Sequence, residues 1–230
     1  MISMNLIRRA SAVTSTTVIA GLVTSASACG GATTATGITT NGLEKKAPAE
    51  VVHAAVAALK SARSVHLVGT SKKLDVDIRI QHGAATGTIR RASGTQVKVT
   101  IIGNVGYMNT DQAGLREFGA PRRVQRHDAG RWLKIPVTGV AGLTLTHVAS
   151  ELTKYKVQLE PKIRQATLNG RKVVVVSYRD GSKLYVANVG PAYPLRGEFK
   201  KNENLLEFTE YGALFHITAP SNFIDLSNAG

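Results

Sequence analysis

A chain of 230 residues, 43% of them hydrophobic, is long enough to bury the core of one domain, and its single cysteine excludes an intramolecular disulfide. With 29 Lys and Arg against 15 Asp and Glu the formal charge is +14, a balance that favours anionic surfaces. Neither a zinc-finger spacing nor an aromatic-basic RNA-binding motif accompanies that charge, so nucleic acid is not an expected partner.

The amino terminus reads as a signal peptide over residues 1–28. Arg8 and Arg9 form a positive start without an acid, and an uncharged stretch runs from Ala10 to Ala28. Its apolar part, Ala10 to Val23, is interrupted by Ser11, Thr14, Ser15, Thr16 and Thr17, which makes it too short and too polar for a membrane-spanning helix. Ala26-Ser27-Ala28 precedes Cys29, and Gly30-Gly31 follows it. The segment resembles a bacterial lipobox in its small residues and its cysteine, and departs from it at Ala26, where Leu is usual. Two cuts therefore fit: lipoprotein processing with a diacylglyceryl group on Cys29, or an ordinary signal-peptidase cut after Ala28. The lone cysteine at the end of a signal favours the first. It places the chain at the extracytoplasmic face of the cell membrane, held by a lipid anchor, because two or more acyl chains make a stable attachment where one does not. Loss of Arg8 and Arg9 leaves 27 basic against 15 acidic side chains, so the mature chain stays strongly basic. Its expected partners are membrane lipids or glycolipids; no protein partner is identifiable.

Residues 29–46 are rich in Gly, Thr and Ala without an apolar period, which predicts a lipidated flexible tether. The domain then occupies 47–230. Pro48 followed by Val52, Val56 and Leu59 at helical spacing predicts a helix from Ala47 to Arg63. Beyond Ser64 the period changes, and Lys73 to Gln81 alternates without a fault, as a half-buried strand does. Further strands are predicted at Ala85–Arg91, Thr95–Ile102, Val105–Thr110, Arg131–Ile135, Ile163–Leu168, Arg171–Arg179, Ser182–Asn188, Leu195–Lys200, Asn204–Glu210 and Ala213–Thr218. Gly83, Ser93-Gly94, Asn169-Gly170 and Asp180-Gly181 supply hairpin chemistry between them. A second helix is predicted over Leu143–Tyr155, where Val148 and Leu152 lie four apart, and a third over Gln112–Phe118. The basic run Arg116 to Arg131 reads as a solvated loop or as a patch for lipid head groups.

Many short antiparallel strands with two or three helices define an α+β class in which helices cover one sheet face, and a long twisted sheet tends to curl. The order of short motifs is more specific. Tyr107-Met108-Asn109, Gly130-Arg131-Trp132-Leu133-Lys134-Ile135-Pro136, a helix, Asn169-Gly170-Arg171-Lys172 with four valines, Lys183-Leu184-Tyr185-Val186-Ala187, Pro194-Leu195-Arg196 and a closing Ala219-Pro220 with Ile224-Asp225 follow one another. In that order they resemble actinobacterial LppX/LprG-type lipoproteins, within the wider LolA-like half-barrel group. The resemblance implies a large curved antiparallel half-barrel, its concave face covered by a few helices around a hydrophobic cavity that carries lipids or lipidated molecules.

Enzymatic chemistry finds little support. His127-Asp128 is the only adjacent His and Asp pair, with no Gly-x-Ser-x-Gly elbow or Ser-x-x-Lys to supply a nucleophile. The six histidines, His53, His66, His82, His127, His147 and His216, never stand four apart, so neither a metal nor another cofactor is expected. Asp75 and Asp77 fall on the polar face of the alternating strand, and Trp132, the sole tryptophan, suits strand packing. The expected function is instead binding, and transport, of amphiphilic lipids; an envelope sensor or interaction module of the same fold is the alternative. A lipid cavity needs apolar area that the protein's own side chains leave unfilled. The candidate lining positions are Val76, Ile78 and Ile80, then Val97, Val99 and Ile101, and finally Leu184 and Val186.

Overall fold

The computed structural model describes residues 39–136, 143–155, 157–200 and 203–226. Cys29, the expected signal peptide at 1–28 and the tether up to residue 38 lie outside the described residues. The last part of the expected tether is docked: the Asn41 side-chain amide donates to the carbonyls of Ala187 (2.9 Å) and Gly190 (3.0 Å), and Leu43 is buried in a short 3-10 turn. The domain therefore begins several residues before Ala47, because Leu43 has an apolar site to fill.

Helix α1 spans Pro48–Ser61. Pro48 suits its first turn, the Ala47 N–H donates to Glu50 Oε2 at 2.9 Å, and Val51, Val52, Ala55, Val56 and Leu59 form its buried stripe. Then follow β1 Ser64–Thr70, β2 Leu74–Gln81, β3 Ala84–Arg91, β4 Gln96–Ile102 and β5 Val105–Thr110. Two short helices, α2 Gln112–Glu117 and α3 Arg122–His127, lead to β6 Trp132–Pro136. Helix α4 Leu145–Lys154 precedes β7 Arg164–Leu168, β8 Arg171–Ser177, β9 Lys183–Ala187, β10 Pro194–Phe199, β11 Asn204–Thr209 and β12 Phe223–Asp225. The β7–β8 turn uses the expected chemistry, with positive φ at both Asn169 (50°) and Gly170 (77°).

Among the described residues the strands form one sheet ordered β12-β6-β5-β4-β3-β2-β1-β11-β10-β9-β8-β7. Two meanders, β1 to β6 and β7 to β11, join where β1 pairs with β11. Helix α4 falls between β6 and β7 in the sequence, strands that lie near opposite edges of the sheet. Pairing is antiparallel except between β12 and β6, which run parallel, so the sheet is mixed and open rather than wholly antiparallel.

The register places one set of side chains on a single face from edge to edge. One rung across it reads Leu133, Met108, Val99, Gly87, Ile78, Leu67 and Phe208; the next reads Val97, Ile89, Val76, Gly69, Leu206, Gly197, Leu184 and Val176. Helices α1 and α4 cover this face over β1, β2 and β8 to β11, enclosing the main core. Leu115 of α2 and Val124 of α3 cover it over β4 to β6, with Val97, Val99, Met108 and Leu133 beneath them. A third cluster, Val173, Val175, Ala187 and Leu195, lies on the opposite face of β8 to β10. It explains why β8 is apolar on both sides.

The sheet bends tightly between β2 and β3. A Cβ on Gly87 would stand 2.1 Å from the Asp77 carbonyl oxygen and 2.7 Å from the Ile78 Cα, closer than backbone atoms can yield. Gly87→Ala is expected to lower the urea midpoint, with a loss at or above the ~1–3 kcal/mol typical of overpacking. An unchanged midpoint would show that the close approach is not required.

Three features correct the sequence reading. Residues Ala213–Thr218 alternate in exposure as a strand would, yet form none. Both neighbours of β1 are taken, so this segment crosses the convex face instead: Ser64 Oγ donates to the Ala213 carbonyl (2.6 Å), and the Phe215 ring packs under the Arg79 guanidinium (5.9 Å). Alternation therefore reflects one side lying on the sheet. The basic run, read as a solvated loop or a head-group patch, contains a helix, α3, which buries only Val124 and is too short to show a helical period. Finally, β1 and β12 are added to the expected strands.

Candidate functional site

Between α4 and strands β1, β10 and β11 lies an open groove of about 560 Å³, within the size range of ligand sites. Its floor is laid by β-strand side chains of the concave face: Leu67 from β1, Phe199 from β10 and Leu206 from β11. Gly69 lets the floor close, since a Cβ there would stand 2.8 Å from both Leu206 and Val76. Val148 and Leu152 of α4, with Val157 beyond it, form the wall, and His147, Glu151, Lys154 and Asn204 make the mouth polar.

Helix α4 is set in place at both ends. At its start the Thr144 hydroxyl accepts from the His147 N–H (3.1 Å), and the buried stripe Leu145, Val148, Ala149 and Leu152 faces the core. Its end is held by Tyr155, whose hydroxyl donates to the Asp180 carboxylate and lies 2.7 Å from Ser182 Oγ. Ser182 Oγ in turn accepts from the Lys200 N–H at 2.9 Å. The Tyr155 ring packs against Tyr178 (5.0 Å) and Phe199 (4.9 Å). Burial pushes Asp180 upward, but the hydrogen bonds from Tyr155 and Ser182 outweigh it and hold its carboxyl below the ordinary value. Tyr178 is pushed up to about 12, chiefly by burial, and stays neutral. A hydrogen-bonded chain thus fastens the wall of the groove to the β8–β9 and β10 strands.

The eight nominated lining positions all belong to the concave face. Ile78, Ile80, Ile101, Leu184 and Val186 are buried in the main core, and Val76 is half-buried against it. Val97 and Val99 are buried under α2 and α3. The groove itself is lined by other residues. Sequence reading singled out Val148 and Leu152 as helix positions, but Leu67, Phe199 and Leu206 come together only through the β1–β11–β10 pairing.

The remaining candidates are dispersed. His127 is exposed, and Asp128 pairs with Arg131 at 3.3 Å. Asp77 is exposed and meets His66 at 2.7 Å across the strand pair. Trp132 sits in β6 opposite Asn109 and Phe223. Among the described residues no cluster of three His, Cys, Asp or Glu side chains is arranged to hold a metal, and no helix is long and apolar enough to cross a membrane.

A large open mixed sheet with a few helices is consistent with the LppX/LprG-type fold. The fold is shared with the crystal structure of LprF from Mycobacterium bovis, at 14% identity and a TM-score of 0.54 over 76% of this chain and 97% of that one. The lipoprotein LppX from Mycobacterium tuberculosis aligns at 10% identity and a TM-score of 0.48, over 74% of this chain and 98% of that one. No protein-family model matches the chain, and no curated protein matches it in sequence.

Proposed function

We propose that this protein is a non-enzymatic envelope lipoprotein, anchored through Cys29, whose domain binds amphiphilic lipids at the outer face of the membrane. The groove beside α4 is the observation that carries the reading. Its apolar floor and wall can remove acyl chains from water, at roughly 25 cal/mol per Å² of apolar area, while the His147, Glu151, Lys154 and Asn204 side chains stand where a head group would meet solvent. The shared fold with LprF supports the same reading.

Leu206→Trp adds bulk to the floor of the groove. It is expected to reduce binding of a fluorescent fatty acid by at least about tenfold, an affinity change of about 1.4 kcal/mol, with the thermal midpoint nearly unchanged. Native mass spectrometry of the purified protein should show copurified lipid in the wild type and less in this variant. Equal uptake by both proteins would place the ligand elsewhere, and apoprotein without uptake of acyl probes would overturn the reading.

A further inference from the structure

Three of the exposed large apolar side chains, Leu74, Phe118 and Leu205, lie at one end of the half-barrel. The strand register brings them there. Thr70 at the end of β1 pairs with Leu205, Leu74 at the start of β2 pairs with Arg91, and the Arg91 guanidinium lies 5.4 Å from the centre of the Phe118 ring. The same end receives the α2–α3 segment, because β5 finishes there at Thr110 and β6 begins there: Gly130, just before β6, donates its N–H to the Thr110 carbonyl (2.7 Å).

Positive charge predominates at that end. Arg116, Arg122, Arg123 and Arg126 are exposed and have no carboxylate within ion-pair distance among the described residues, and Lys73 on the β1–β2 turn is in the same state. Of the acids nearby, Glu117 is engaged with Arg91 and with the Ser93 and Thr95 hydroxyls, Glu203 with Lys72 and Asp128 with Arg131, while Asp111 caps α2 on the Gly114 N–H and Asp75 follows Leu74 in β2. The groove opens toward this end as well, since Asn204 and Leu206 begin β11.

We propose that this end is a docking rim for a bilayer rich in anionic lipid heads. Phe118, Leu74 and Leu205 enter the interfacial layer, and the free arginines of α2 and α3 meet the head groups. A single patch combining apolar tips with unpaired guanidinium groups matches a surface that is anionic outside and apolar beneath. Binding there would set the groove mouth against the membrane, a consequence that rests on the proposed lipid-binding function; the docking does not.

The test uses the full chain with Cys29→Ser, so that no variant carries an acyl anchor. Cosedimentation with phosphatidylglycerol-phosphatidylcholine vesicles compares Arg122→Glu/Arg123→Glu with Lys60→Glu/Arg63→Glu, an equal charge change at the opposite end of the sheet. The rim pair is expected to lower the partition coefficient by at least about tenfold, and the control pair by no more than about twofold. Equal losses in the two pairs, or none in either, would overturn the proposal. Folding of the variants is bypassed by a second measurement: an environment-sensitive fluorophore on Phe118→Cys should shift to the blue on adding these vesicles, whereas one on Leu214→Cys, on the convex face, should not. A shift at both positions, or at Leu214 alone, overturns it too. Lipid copurified with the rim pair, read by native mass spectrometry, distinguishes loss of docking from loss of the groove.

Discussion

Phe208→Ala is expected to lower the free energy of unfolding by about 3–5 kcal/mol, as large-to-small changes at fully buried aromatic positions do. Phe208 is 1% exposed and ranks among the largest side chains wholly enclosed by the protein. It lies in β11, opposite Leu67 of β1, at the seam where the two meanders meet. Strands distant in sequence are joined there by backbone pairing and by this apolar contact within the main core. A cavity at the seam loosens both halves at once, and such a loss is a large fraction of the ~5–15 kcal/mol stability of a typical domain. Urea denaturation followed by circular dichroism measures it. A loss below about 1 kcal/mol would mean that the seam relaxes to fill the space.

Cys29→Ala is expected to move the mature protein from the membrane fraction to the soluble fraction. The sulfur is the attachment point in the proposed anchoring, and each buried methylene of the acyl chains contributes roughly 0.8 kcal/mol, so its loss removes nearly all the stable hold. Cell fractionation with immunoblotting reads the change, and the intact mass of the released protein shows where the chain was cut. Retention that resists high salt would mean an uncleaved amino terminus and would defeat the anchoring role of the thiol. Retention released by salt would instead point to the arginine-rich rim, since electrostatic attachment is screened within about 10 Å at 0.1 M ionic strength.

Much of the fold was legible in the sequence because alternation and turn chemistry are local. The faultless period of Lys73 to Gln81, the Asn169-Gly170 turn and the Val148–Leu152 spacing each produced the expected element. Failures have equally local causes. Ala213–Thr218 alternates because one of its sides rests on the convex face, which a period of two cannot distinguish from hydrogen-bonded pairing. Residues 41–46 look like a linker until Asn41 bonds to the β9–β10 connection and Leu43 is buried in the main core.

The sequence alone carried the expectation of an address signal around Cys29, and it determined the excess of basic charge, most strands with their inward faces, and the motif order that resembles LppX/LprG-type lipoproteins. Tertiary structure decided which apolar residues became core and which remained open to a ligand. Val76, Ile78, Ile80, Val97, Val99, Ile101, Leu184 and Val186 have the pattern of a lining, and helices packed on them settle whether that lining faces space or side chains. Only the pairing of β11 with both β1 and β10 places Leu206 beside Leu67 and Phe199, and only the β5–β6 connection brings Arg122 and Phe118 to the same end as Leu74. Periodicity reports the side of a strand. Emptiness and adjacency are set by contacts between separate elements of the sheet and its helices, and no local pattern records them.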